Sequence, residues 1–239
     1  MTKIVLHLLL LSVTFCNAQN WKQERIKGSG NIVTTTRTTE TYDKISVSGS
    51  FDIVLTDGKE GNLTLKGDDN LLPYIITEVE NNKLNIHFKK NHSFNYKSKI
   101  TIEVPVESIS QVMATGSGSI MGKKMLKSDE FTITLSGSGD AKLEVNASKT
   151  KVVLTGSGDI TMNGTTQELD ASVTGSGDVD CRNLQAKNAK ATVSGSGDLS
   201  VNCTQHLEAK VTGSGDITYK GKPSTLDKKV SGSGNIKGI

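Results

Sequence analysis

The sequence predicts an all-β protein, a parallel β-helix or solenoid of ~19-residue Gly-Ser-Gly coils behind a β-rich N-terminal cap. Three observations predict it. A Gly-Ser-Gly triplet recurs seven times at near-constant spacing, and apolar residues recur at even offsets from each triplet. Only 4% of the 239 residues are aromatic, while Gly numbers 24 and Pro 3. Few aromatics with abundant Thr, Ser, Gly and Val suit thin β-layers better than one large globular core. The length suits one domain or one and a half.

Residues 1–18 read as a signal peptide. Lys3 supplies a positive start, Ile4 to Phe15 is largely apolar, and Cys16-Asn17-Ala18 has small residues at both ends of a cleavage box. The run is too short for a transmembrane helix; its other reading is a buried strand. Cleavage after Ala18 is expected. A lipid on Cys16 is the competing outcome, disfavoured because the bulky Phe15 stands where lipoprotein signals want a small residue. No second apolar run of membrane length follows, so no membrane-spanning helix is expected in the mature chain. The expected location is outside the cytoplasm: periplasm, outer-membrane surface or medium.

Residues 19–111 form the β-rich cap or a set of larger coils. Ile45, Val47, Phe51, Ile53 and Leu55 alternate, followed by Leu63 and Leu65 and a break at Gly67-Asp68-Asp69-Asn70. Leu71 to Ile76 reads as a single helical turn interrupted by Pro73. Val79, then Leu84, Ile86 and Phe88, then Ile100, Ile102 and Val104 read as further strands. Asn81-Asn82 reads as a hairpin turn, and Asn91 to Ser98 as a polar loop carrying His92, Phe94 and Tyr96. A solenoid needs its end covered, which gives the cap a physical reason.

Residues 112–239 carry the repeat. The triplets start at Gly116, Gly137, Gly156, Gly175, Gly195, Gly213 and Gly232, spaced by 21, 19, 19, 20, 18 and 19 residues. That period fits a coil of two or three short strands. Two residues before each triplet stand Leu135, Leu154, Val173, Val193, Val211 and Val230. Four before stand Ile133, Val152, Ala171, Ala191 and Ala209. Four after stand Ile120, Ala141, Ile160, Val179, Leu199, Ile217 and Ile236, and six after stand Leu143, Met162, Cys181 and Val201. Alternate residues of a strand share a face, so these even offsets point inward together. Both glycines also hold even offsets, as expected where two walls of a narrow coil converge and leave no room for a Cβ.

The residue after each triplet forms an outward column: Ser119, Asp140, Asp159, Asp178, Asp198, Asp216 and Asn235. One reading is a cation- or ligand-binding stripe. The other, which the pattern favours, is a turn device in which each carboxylate accepts a neighbouring backbone N–H. Calcium would need six to eight oxygens converging from more than one column, and only one column is present. No metal site and no cofactor is expected.

Several segments resemble the auto-transporter adhesin head-domain family (the GIN domain) of exported bacterial proteins. They are Gly28-Ser29-Gly30-Asn31, Arg37, Tyr42-Asp43-Lys44-Ile45, Val47-Ser48-Gly49, Phe51-Asp52-Ile53, Gly67 to Asn70, the repeated Gly-Ser-Gly-Asp and the closing Gly-Ser-Gly-Asn-Ile. The resemblance covers nearly all of the mature chain. It implies a single-stranded right-handed β-helix and a role in adhesion, and it brings no catalytic residues.

Function divides into two classes. The first is a surface or periplasmic binding or structural module, meeting glycans or envelope and surface proteins through its polar walls. The second is a polysaccharide-active β-helix lyase or hydrolase, which needs an irregular cluster of carboxylates or basic residues in one groove. Carboxylates that repeat identically favour the first. No Gly-x-Ser-x-Gly elbow is present, and His7, His87, His92 and His206 lack metal-ligand spacing. Charges near balance, 28 basic against 25 acidic, give no nucleic-acid footprint. Ice or crystal binding through the Ser and Thr columns is disfavoured because the columns are mixed. Cys181 and Cys203 lie one coil apart and two residues out of register, a diagonal of roughly 8 Å against a usual bridging limit of about 7 Å. Two free thiols are expected.

Overall fold

The computed structural model describes residues 24–96 and 98–239. The signal peptide and Cys16 lie outside the described residues. The chain runs β1 (Glu24–Lys27), β2 (Ile32–Thr38), β3 (Lys44–Ser48), β4 (Phe51–Asp57), β5 (Asn62–Asp68), a 3₁₀ turn (Leu72–Tyr74), β6 (Ile75–Glu80), β7 (Lys83–Phe88), β8 (His92–Asn95) and β9 (Ile100–Val106). It continues β10 (Gln111–Gly116), β11 (Ser119–Gly137), β12 (Asp140–Gly156), β13 (Ile160–Gly175), β14 (Val179–Gly195), β15 (Leu199–Gly213), β16 (Ile217–Lys220), β17 (Thr225–Gly232) and β18 (Ile236–Gly238). This is the expected parallel β-solenoid.

Each coil is one long bent strand of 15 to 19 residues rather than two or three short ones. The bend is made by a slip in the alternation. In β12 the buried Ala147 and Thr150 flank two consecutive exposed residues, Ser148 and Lys149. Gln167-Glu168 and Lys187-Asn188 repeat the slip one and two coils on. Two outward residues in a row turn the wall while both arms keep their apolar face inside. Thr150 and Thr166, buried beside the bend, bond to each other at 3.1 Å, so neither hydroxyl is orphaned.

The inward columns two before and four after the triplet stack as expected, whereas the column of Leu143, Met162, Cys181 and Val201 stays buried but loses register at bulges beyond Met162. Leu135, Leu154, Val173, Val193, Val211 and Val230 are register partners on successive coils, and so are Ile120, Ala141, Ile160, Val179, Leu199, Ile217 and Ile236. All are buried except Val230, which is 45% exposed. Its coil is the last in the stack, and among the described residues none lies beyond it to cover the side chain.

The N-terminal strands extend the stack, but not in chain order. β3 lies between β7 and β10, and β4 between β9 and β11. The layer written first is therefore second in space, threaded between a later layer and the repeats. Beyond it, β6 pairs antiparallel with β7, β5 with β9, and β2 with β5, closing the end. Arg37 on β2 ties this cap together by donating to the carbonyls of Leu72 and Ile75. Asn81 and Asn82 both take positive φ in the β6–β7 hairpin, as a primed turn requires. Asn91 to Ser98 is not simply a polar loop. β8 within it pairs in parallel with β1, and Phe94 stacks on Phe88 at 4.1 Å.

The triplet glycines have a different cause from converging walls. A Cβ on either glycine would meet the carbonyl oxygen of its counterpart on the preceding coil: 2.3 Å for Gly175 on Gly156, 2.0 Å for Gly177 on Gly158. The obstacle lies along the stacking axis. The first glycine of each triplet also holds φ between 121° and 134°, a region costly for any residue with a Cβ. From Gly137 to Gly213 its carbonyl accepts two N–H groups from the next coil, as Gly156 O receives Ser176 N at 2.9 Å and Gly177 N at 3.1 Å; Gly116 O receives Ser138 N at 3.0 Å.

Cys181 and Cys203 are both buried and free. The expected register between them was too short. Irregularities between β13 and β14 and between β14 and β15 place Cys203 opposite Ala186 rather than near Cys181. Burial raises both thiol pKa values, so neither forms a reactive thiolate near neutrality. Thiol titration of residues 19–239 is expected to find no reactive cysteine in the folded chain and two in the denatured, never-reduced chain. A mass two daltons lighter with no thiols would contradict the register.

Candidate functional site

The carboxylate column is a hydrogen-bonded ladder between coils. Asp159 N–H donates to Asp140 Oδ1 at 3.2 Å, Asp178 N–H to Asp159 at 3.1 Å, and Asp198 N–H to Asp178 at 2.8 Å. Asp216 N–H donates to Asp198 and Asn235 N–H to Asp216, each at 2.8 Å. The backbone explains the need. The carbonyl of each of these residues after Asp140 accepts an N–H from the preceding coil, as Asp159 O does from Ala141 N at 2.8 Å. The N–H also faces the preceding coil and needs an acceptor there, which the side chain supplies. Where the column holds Ser119, Asp140 N–H turns instead to Gly118 O at 3.2 Å. The column reaches back to Asp52, whose Oδ1 accepts Ser119 Oγ–H at 2.7 Å. Among the described residues no group of three or more His, Cys, Asp or Glu is placed to hold a metal ion.

Beside the bend, the wall carries an open groove of about 500 Å³ that crosses five coils. Phe131, Thr150, Leu169 and Ala189 form its buried floor. One rim is the register column Glu130, Lys149, Glu168, Asn188 and His206; the other is Thr132, Lys151, Asp170, Lys190 and Glu208. These residues stand seven and five positions before each triplet. That periodicity was visible in the sequence, but alternating sign disguised it. Each Lys lies beside an acid on a neighbouring coil, with Glu130–Lys149 at 3.5 Å and Lys190–Glu208 at 3.7 Å. More than half of each of these four side chains is exposed, and such pairs are worth about 0–1 kcal/mol. They can exchange partners with a ligand at little cost. His206 Nδ1 lies 2.6 Å from Thr225 Oγ1, and His87 and His92 sit on β7 and β8, away from the groove.

A second cluster joins two of the motifs near the N-terminus, Gly28-Ser29-Gly30-Asn31 and Gly67 to Asn70. Ser29 Oγ–H donates to Asp69 Oδ1 at 2.6 Å, Asn31 Nδ2 to Asp69 Oδ2 at 2.8 Å, and Gly30 N–H to Asp68 Oδ1 at 2.6 Å. Those donors hold the Asp69 carboxyl below its usual range, Ser29 first and Asn31 second. Tyr42 O–H donates to Pro105 O at 2.6 Å, and Asp43 Oδ2 accepts Ser110 Oγ–H at 2.6 Å, pinning the threaded β3 layer. These motifs fasten the cap.

Comparison with known proteins agrees with this architecture. The family model described as putative auto-transporter adhesin, head GIN domain, matches residues 41–223. The chain belongs to that family. A putative adhesin from Bacteroides fragilis NCTC 9343 is 26% identical, with a TM-score of 0.84 over 90% of this chain and 100% of that one. A putative lipid binding protein from Parabacteroides distasonis ATCC 8503 is 30% identical, with a TM-score of 0.75 over 90% and 100%. A putative adhesin from Parabacteroides merdae ATCC 43184, 22% identical with a TM-score of 0.71 over 90% and 99%, shares the fold. No curated protein matches. None of these descriptions is of an enzyme, and no helix among the described residues is long and apolar enough to cross a membrane.

The ladder predicts a graded response at Asp178. Asp178→Asn keeps an acceptor for Asp198 N–H and should leave the melting temperature nearly unchanged. Asp178→Ala should cost about 1 kcal/mol, the net worth of one hydrogen bond. Calorimetric titration with calcium should show no tight site. A sub-micromolar site lost in Asp178→Asn would reassign the column to cation binding.

Proposed function

We propose that this chain is an exported, adhesin-like binding module that holds a linear, uncharged glycan of the envelope or cell surface along the axial groove. The observation that carries this reading is the groove itself, five coils long, with donors and acceptors repeated at each coil step of ~4.8 Å. Its charges nearly cancel: Lys149, Lys151 and Lys190 oppose Glu130, Glu168, Asp170 and Glu208. A polyanion would meet four carboxylates, whereas sugar hydroxyls both donate and accept and suit alternating partners. Membership of an adhesin family and likeness to adhesin structures support a binding role. Repetition favours binding over catalysis, because glycoside cleavage uses two carboxyls in unlike environments. Export rests on the reading of residues 1–18.

Glycan-array binding followed by calorimetry tests the reading. Lys149→Ala with Lys151→Ala should weaken binding of a neutral linear glycan at least tenfold, taking about 1.5 kcal/mol or more for each lost charge-assisted hydrogen bond. The melting temperature should stay unchanged. Undiminished binding would move the site elsewhere, and turnover of any polysaccharide would replace the module with an enzyme.

A further inference from the structure

The two ends of the solenoid treat their sheet edges differently. At one end, β16, β17 and β18 carry Lys220, Lys228, Lys229 and Lys237, the kind of charge that blunts an edge. At the other, β2 is seven residues long and pairs only with β5 among the described residues. Its sequence, Ile32-Val33-Thr34-Thr35-Thr36-Arg37-Thr38, holds no Pro, no Gly and one charge. That charge, Arg37, is turned inward onto the Leu72 and Ile75 carbonyls. Ile32, Thr34, Thr36 and Thr38 are exposed. In an antiparallel pair only alternate residues bond to the partner strand. The other N–H and C=O groups of β2 therefore point away from β5, forming a template for one more strand.

We propose that β2 pairs with β2 of a second copy of this chain, antiparallel about a two-fold axis at Thr35. The strand is self-complementary in this register: Thr34 faces Thr36, Ile32 faces Thr38, and Val33 faces Arg37. β-Branched and Thr–Thr cross-strand pairs are favourable, and like charges directly opposite are not. β2 projects no outward charge to repel its own copy, and none to attract a charged partner. A two-fold contact uses the same edge on both copies and closes. The lysine-covered strands at the opposite end offer no competing edge, and β6, the other edge strand at this end, carries the exposed Glu78 and Glu80. A dimer of this kind doubles every surface site and raises avidity for a repeated ligand without new contacts.

Sedimentation equilibrium of the full mature chain tests the pairing without any glycan, so it stands or falls apart from the groove. The wild type should show a monomer–dimer equilibrium. Thr34→Lys with Thr36→Lys should weaken the dimer at least about tenfold, since two like-charge pairs then face each other. Mixing that variant with Thr34→Glu/Thr36→Glu should restore a one-to-one heterodimer. As a charge-free check, a Thr34→Cys copy mixed with a Thr36→Cys copy should form an intermolecular disulfide on oxidation. A wild type that stays monomeric at every concentration overturns the proposal. A lysine variant that dimerises as tightly as wild type, a mixture that does not pair, or an absent crosslink would each do the same.

Discussion

Every coil of the repeat is tied to the next at its triplet by one carbonyl. The first glycine of the triplet turns its C=O toward the next coil, and two successive N–H groups converge on it, as Ser176 and Gly177 do on Gly156. Such closeness leaves no room for a Cβ at either glycine. The rest of the repeat follows from this contact. It fixes the register, the register stacks Val173 on Leu154 and Val193 on Val173, and the stacked columns exclude water from the core. One layer before the first triplet, Phe51 holds the second glycine's position. The chain one layer below departs into the wider excursion through β8, so the ring has room to pack on Phe88 at 4.8 Å.

The carboxylate ladder is a consequence of the same turn. A residue whose N–H and C=O both face the preceding coil must find an acceptor there, and a short side chain with a terminal oxygen reaches it. Asp therefore holds the column from Asp140 to Asp216, while the groove on the other side of the bend keeps longer side chains free. Fold and candidate site thus occupy different columns of one repeat: the outward residues next to the triplet hold coils together, and those five and seven positions before it face solvent.

Much of this was legible in the sequence because a parallel stack repeats its neighbours. Even-offset columns such as Ile133, Val152, Ala171, Ala191 and Ala209 can be read without coordinates, since period-two facing and a constant coil length determine the contacts. Other features depend on relations that a linear reading does not carry. The reason for the glycines lies on the adjacent coil, so inspection of a single coil suggested the opposite wall. The β3–β4 layer is written first but threaded second, and its alternation is the same in either place. Bulges around Arg182 and Gln185 shift the register, and two exposed residues in a row, Arg182 and Asn183, interrupt the alternation there. His92, Phe94 and Tyr96 alternate as strand residues do, a signal hidden by their polar neighbours. The groove columns change sign from coil to coil, so they conserve position and not residue type.

The central claim is that coil stacking depends on the close approach of a carbonyl to each triplet glycine. Gly177 isolates it, because its backbone lies outside the positive-φ range that marks Gly175, so a side chain there would suffer from the Gly158 oxygen and not from strain. The most direct measurement compares thermal and denaturant unfolding of Gly177→Ala with Ser176→Ala, one residue away and facing solvent. The account predicts a loss of about 3 kcal/mol or more for Gly177→Ala, the scale of overpacking against backbone that cannot yield, and less than about 0.5 kcal/mol for Ser176→Ala. Equal, small losses for the two would contradict it.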